Sequence, residues 1–298
     1  MLNSQSPRNH LDGFAIVTLI GLSVIWGVQQ VVIKQTTADV APLLQAGLRS
    51  AGAAILVALW MRWKRIEIFP RDGTFWPGLL VGVLFGLEFA MFYAALQFTL
   101  ASRAGILLYT APFWVVLGAH FLLPGERMRR IQMIGMLAAF CGLLVAFKDS
   151  LQLPNPEELL GDAMVLLAGL LWGATSVAIK KSKLARIDSS RTLFYQLLYS
   201  APLLLGLSVA MGESGVTEWS DFVIGSLAFQ IIGIAFASYQ VWFWLLRNYP
   251  AGRLSAFTFL TPLMSVLVSV VWLGEPFTLT LAIALALVGG GIYLVNRT

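Results

Sequence analysis

The sequence predicts an all-α polytopic membrane protein: ten transmembrane helices arranged as two inverted five-helix repeats. Three observations carry that expectation. Hydrophobic residues make up 58% of the chain and charged residues 12%, against roughly 45–50% and about 25% in soluble proteins. Apolar stretches long enough to cross about 30 Å of hydrocarbon as helix recur from end to end. Landmarks of the first half also return in the second at a nearly constant offset. A transmembrane barrel would show short segments of alternating polarity, and the unbroken apolar run at 164–171 does not fit one.

The expected spans are 13–33, 41–61, 75–97, 103–123, 131–147, 161–179, 192–211, 222–246, 253–273 and 277–295. The first follows a polar tail ending at Asp12. No small-residue cleavage site follows a short apolar core, so it reads as an uncleaved helix rather than a signal peptide. Helix-breaking residues mark the connections. Pro70 and Pro77 lie around the second loop, Pro124-Gly125 after the fourth span, and Pro154 and Pro156 before the sixth. Pro250 precedes the ninth span and Gly274-Glu275-Pro276 the tenth. The loops are short and leave no sizeable soluble domain. The single cysteine, Cys141, lies in the fifth span; it excludes an intrachain disulfide and reads as a small packing residue.

Charge sets the expected orientation. With the N-terminus in the cytoplasm, 16 of the 20 Lys and Arg fall on the inner side, from Arg8 and the Arg62–Arg71 loop through to Arg297. Only Lys34, Arg103 and Lys148 fall outside, and Arg49 lies within the second span. Such an asymmetry is the mark of cytoplasmic loops. It places both termini in the cytoplasm and gives the +5 net charge a topological meaning, with no nucleic-acid partner implied. Trp60, Trp63, Trp76 and Trp219, near span ends, read as an interfacial belt.

Trp26-Gly27 followed by Ile33-Lys34 returns as Trp172-Gly173 followed by Ile179-Lys180, at an offset of 146. Ala101, Arg103 and Pro112 return as Ala251, Arg253 and Pro262 at 150. Gly125-Glu126 and Gly142 return as Gly274-Glu275 and Gly291 at 149. Each copy holds five spans, an odd number, so the copies at 13–148 and 161–296 must cross in opposite senses. Inverted repeats recur in secondary transporters, with the substrate site at the repeat interface.

These motifs resemble the drug/metabolite transporter superfamily, in its ten-helix branch of two EamA-type repeats. The likeness runs from about 13 to 296. It is carried by Trp26-Gly27, Trp172-Gly173, the Thr-Ala-Pro run at 110–112 with Gly125-Glu126-Arg127, and Thr261-Pro262 with Gly274-Glu275-Pro276. Glu88, flanked by aromatics in the third span, looks like the YddG-type amino-acid and metabolite exporters. The resemblance implies a basket in which spans 1, 3, 4, 6, 8 and 9 surround a central cavity while 5 and 10 pack to one side. Pro276 stands where Arg127 would repeat, so a role of that arginine need not be duplicated.

The residues themselves point to a lined pathway. Trp26 and Gln30 share a helix face, repeated by Trp172 and Ser176. Glu88 and Phe92 share another, matched by Ser238 and Trp242. Tyr109 and Phe259 stand beside Pro112 and Pro262, which read as kinks or hinges. Aromatic walls with sparse polar groups suit a small amphipathic solute. Glu88 admits three readings: it binds an ammonium group, carries a proton, or pairs with Arg49. The glycine strips at Gly78, Gly82 and Gly86 and at Gly169 and Gly173 read as close helix packing or a sliding surface. Gly289–Gly291 reads as packing or as a dimer contact.

No GxxxxGK[ST] loop, HExxH or Gly-x-Ser-x-Gly is present, and His10 and His120 lie far apart. The expectation is therefore not an enzyme, with no cofactor and no metal. It is a secondary exporter of small amphipathic solutes by alternating access across the cytoplasmic membrane, a monomer or weak homodimer among lipids. Amino acids or related metabolites lead as cargo. Quaternary-ammonium drugs, nucleotide sugars or purines are the alternatives, and a membrane-embedded enzyme or a channel stands further off.

Overall fold

The computed structural model describes residues 10–99, 101–148, 155–273 and 277–297. Arg8, Pro154 and the Gly274-Glu275-Pro276 motif lie outside them. Among the described residues nine helical stretches of 18 or more residues are long and apolar enough to cross a membrane, and a tenth apolar helix, Arg130–Ala146, is shorter.

In order these are α1 (Gly13–Thr36), α2 (Pro42–Trp63), α3 (Phe75–Ala95), α4 (Ala101–Leu108), α5 (Ala111–Leu122), α6 (Arg130–Ala146), α7 (Pro156–Lys181) and α8 (Ser189–Ala210). Then follow α9 (Asp221–Ala228), a π-helical stretch at Phe229–Ser238, α10 (Tyr239–Asn248), α11 (Ala251–Phe257), α12 (Leu260–Leu273) and α13 (Leu279–Asn296). Their ends follow capping chemistry. Asp12 accepts from the Ala15 N–H at 2.9 Å to start α1. Asn155 and Glu158 form a reciprocal box at the head of α7, which also has Pro156 in its first turn and Lys180 and Lys181 in its last. α2 has no cap of its own. Glu213 supplies it from the other half, accepting from Leu43 N and Leu44 N at 2.9 Å each.

Three expected spans are not continuous α-helices. The fourth is broken at Tyr109-Thr110 into α4 and α5, and the ninth at Thr258-Phe259 into α11 and α12. In each case a proline follows within a few residues, removing a backbone donor. The breaks close with tighter i→i−3 bonds at matching places, Tyr109 N to Ile106 O and Phe259 N to Ala256 O. The eighth span widens into the π stretch, whose counterpart in α3 is regular α-helix. Such wide turns inside α-helices are rare.

The two halves interlock. α1 packs chiefly on α12, and α7 on α3 and α5, so the first helix of each half lies against the other half. The Trp-Gly motifs explain how. A β-carbon at Gly27 would stand 2.7 Å from Ser265 N, and one at Gly173 2.6 Å from Trp114 Cβ. The glycines let the backbones approach that closely. Met264-Ser265 and Trp114-Val115 are themselves repeat equivalents, in the same register as Pro262 and Pro112, so both crossings are one contact used twice. α6 and α13 pack together, matching the pair that the family resemblance sets to one side. The strip at Gly78, Gly82 and Gly86 meets Tyr195, Tyr199 and Leu203 of α8.

Cys141 is exposed on α6 rather than packed. Its neighbour Gly142 takes the inward position, against Val288 and Ala284. Trp63, Trp76 and Trp219 are exposed, as a lipid-facing belt requires.

Candidate functional site

Both ends of the bundle are tied by polar contacts between the halves. At the end where α1 begins and α13 finishes, Gly125 adopts φ +88°, a left-handed turn suited to glycine, and Glu126 follows it. Glu126 accepts from Lys180 Nζ at 2.7 Å and from Ala251 N at 2.8 Å, while Lys180 also donates to Tyr249 O at 2.6 Å. The Tyr249 hydroxyl donates to Asp12 at 3.0 Å, and Arg253 meets His10 at 2.9 Å. Asp72 completes this end. It accepts from the Thr74 hydroxyl at 2.6 Å and from Arg191 Nη2 at 2.7 Å. The Thr74 hydroxyl, helped by the Thr74 amide and Arg191, holds its carboxyl below the usual value against the opposing effect of desolvation.

At the opposite end Thr99 donates to Asp162 at 2.9 Å, and Arg103 grips the same carboxylate through Nε at 2.7 Å and Nη2 at 2.6 Å. Thr99 and Tyr249 occupy equivalent places in the two repeats. So do Arg103 and Arg253, and Asp12 and Asp162.

Between these ends lies a wall of aromatic side chains drawn from both halves. Trp26 donates its indole N–H to Ser238 Oγ at 2.9 Å and meets Trp242 edge-on at 5.4 Å and Tyr239 at 6.4 Å. Tyr239 leads through Phe85 to Phe89 and Tyr93. On the other flank Gln30 donates to the Tyr109 hydroxyl at 2.9 Å, and Tyr109 meets Trp172 at 6.0 Å. Gln30 is exposed although its partner Tyr109 is buried. At the break between α11 and α12, Phe259 is fully buried against Phe113 and Phe140.

Direct contacts thus join Trp26, Ser238 and Trp242 in one group and Gln30, Tyr109 and Trp172 in another. Phe259 lies apart from both groups, packed against Phe113 and Phe140. Phe92 meets Tyr93 edge-on at 5.7 Å and otherwise packs beside Ala95, Ala104 and Val165. Ser176 is buried and makes none of these contacts. Pro112 and Pro262 lie in the first turns after the helix breaks, as described above.

Glu88 and Arg49 are both buried, at 8% and 1% exposure. Among the described residues no Arg49 nitrogen comes within the 4.0 Å of an ion pair with Glu88, so the two do not form the direct pair that the sequence allowed. The Arg49 guanidinium lies over the Phe89 ring, 4.5 Å from the centroid. Its Nε and Nη2, and Glu88 Oε2, have no hydrogen-bond partner among the described residues.

Sequence reasoning missed Phe85, Phe89, Tyr93 and Tyr239 as wall residues. A signal was present, since Tyr239 is the repeat equivalent of Phe89 and stands next to Ser238. The meeting of Glu126 with Lys180 was also missed. Its counterpart at the far end would need Lys34, which is exposed, and Glu275, which lies outside the described residues.

The profile described as the EamA-like transporter family matches residues 13–148 and 159–297. The chain is 26% identical to "Uncharacterized transporter YoaV" of Bacillus subtilis, over 94% of this chain and 96% of that one. It is 26% identical to "Probable amino-acid metabolite efflux pump" of Escherichia coli, over 91% of each. The Salmonella typhimurium protein of the same name is 25% identical over 95% and 94%. One solved crystal structure superposes with a TM-score of 0.78 at 24% identity, over 93% of this chain and 97% of that one, a likeness of fold alone.

Proposed function

Because the chain belongs to the EamA-like transporter family, we propose that it is a secondary exporter of amino acids or related small metabolites. It works by alternating access across the cytoplasmic membrane, with both termini in the cytoplasm. The observation that carries this reading is the aromatic wall, between two ends tied by repeat-equivalent contacts, with Glu88 and Arg49 buried beside it. Two halves of opposite topology can exchange conformations at similar energy, which is the physical basis of access from alternate sides. The names of the Escherichia coli and Salmonella typhimurium relatives support the cargo class.

The test is counterflow in proteoliposomes with a panel of labelled amino acids. Saturable exchange of at least one is expected, and Trp172→Ala, next to Tyr109, should alter its rate or selectivity. Flux that neither saturates nor shows counterflow would point to a channel. No exchange across the whole panel would remove amino acids as cargo and leave the family assignment intact.

A further inference from the structure

Arg49 and Glu88 stand at one depth on neighbouring helices and are kept apart. A short loop makes α2 and α3 antiparallel, so the start of α2 and the finish of α3 share an end. Arg49 lies two turns after Pro42, and Glu88 two turns before Ala95. Each is about 10 Å from that end at roughly 1.5 Å of rise per residue. Opposite charges buried at the same level would gain most by closing on each other, since an uncompensated buried charge is strongly disfavoured. Here they remain separate, with Arg49 Nε and Nη2 and Glu88 Oε2 unpartnered among the described residues.

The unused edge of Arg49 has a worked example in the same molecule. Arg103 holds the Asp162 carboxylate through Nε and Nη2, at 2.7 and 2.6 Å to one oxygen. That pair of N–H groups is the edge that Arg49 leaves free, and its planar fork matches a carboxylate. A carboxylate such as Glu88 is the natural acceptor for an ammonium group. The surroundings are aromatic: Phe89 lies under Arg49, with Phe85 and Tyr239 beyond it.

We propose that Arg49 and Glu88 are the two poles of a receptor for zwitterionic α-amino acids. Arg49 takes the carboxylate through Nε and Nη2, and Glu88 takes the ammonium group. An apolar or aromatic side chain lodges against Phe85, Phe89 and Tyr239. This assignment rests on the amino-acid reading above and narrows it to substrates that carry both charges.

The experiment is competition against counterflow of the best amino acid in the panel by that amino acid and its two singly charged analogues. For phenylalanine these are phenethylamine and 3-phenylpropionate. In the wild type each analogue should compete about tenfold or more weakly, as expected for a lost charge-assisted hydrogen bond. Arg49→Lys keeps the charge but not the fork. It should raise the KM for the amino acid about tenfold and change phenethylamine competition less than twofold. Glu88→Gln should do the same with respect to 3-phenylpropionate. Should either variant fail to fold, the wild-type comparison decides by itself. Equal competition by the analogues overturns the two-pole receptor and leaves amino-acid transport standing; no flux with any amino acid overturns both.

Discussion

Gly135 on α6 and Gly291 on α13 face each other so closely that a β-carbon on Gly135 would stand 2.5 Å from the Gly291 carbonyl oxygen. Two turns along, a β-carbon on Gly142 would meet Ala284 O at 2.9 Å. Gly142 and Gly291 are repeat equivalents, as are Gly135 and Ala284, so the two contacts interchange when the halves are exchanged. Gly135→Ala and Gly291→Ala should each destabilise the protein by about 1–3 kcal/mol through overpacking. Gly289→Ala and Gly290→Ala, with nothing within 4 Å, should cause no loss. Thermal unfolding in detergent measures this, and equal midpoints for all four variants would contradict the packing account.

Asp162 should be more sensitive still. Its carboxylate is shared by Thr99 and Arg103, with both charged side chains largely buried. Asp162→Ala leaves Arg103 without that partner and should cost about 3–5 kcal/mol. The double variant with Arg103→Ala should recover part of the loss, and a double-mutant cycle reports the coupling. Additive losses would mean that the pair contributes little.

Asp72 gives a pH signature at the other end. Its carboxyl is held below the ordinary 3.8 by the Thr74 hydroxyl first, then by the Thr74 amide and Arg191. Its contribution to stability is therefore complete above 3.8 and disappears as pH falls through the lower folded-state value. The gap in unfolding midpoint between wild type and Asp72→Asn should be present at about pH 6 and shrink progressively as pH is taken below 3.8. A gap that stays constant across that range would rule out the carboxylate as its source.

Much of this arrangement could be read from residue order. Span positions followed from hydropathy and Pro/Gly punctuation. The offsets that relate Trp26 to Trp172 and Pro112 to Pro262 mark contacts that the fold uses twice. Other features had no local signal. The π stretch at Phe229–Ser238 contains ordinary apolar residues, and no periodicity announces a wide turn. Arg49 looked like an ion-pair partner of Glu88, because sequence shows that two charges lie in adjacent spans but not whether they touch. The wall residues Phe89 and Tyr239 resemble packing aromatics until their neighbours are known. The crossing of α1 to α12 depends on which glycine faces which backbone, a property of pairs far apart in sequence.

That exchange of first helices has a consequence for assembly. A lone five-helix half would present α1, or α7, with its main packing partner missing, because that partner belongs to the other half. Cutting the chain between Lys148 and Asn155 should therefore yield fragments that are degraded when made singly. Made together in one cell, they should recombine into a transporting complex that copurifies through a tag on either piece. If one fragment alone accumulated as a stable, monodisperse protein, the halves would be self-sufficient modules rather than two partners that complete each other.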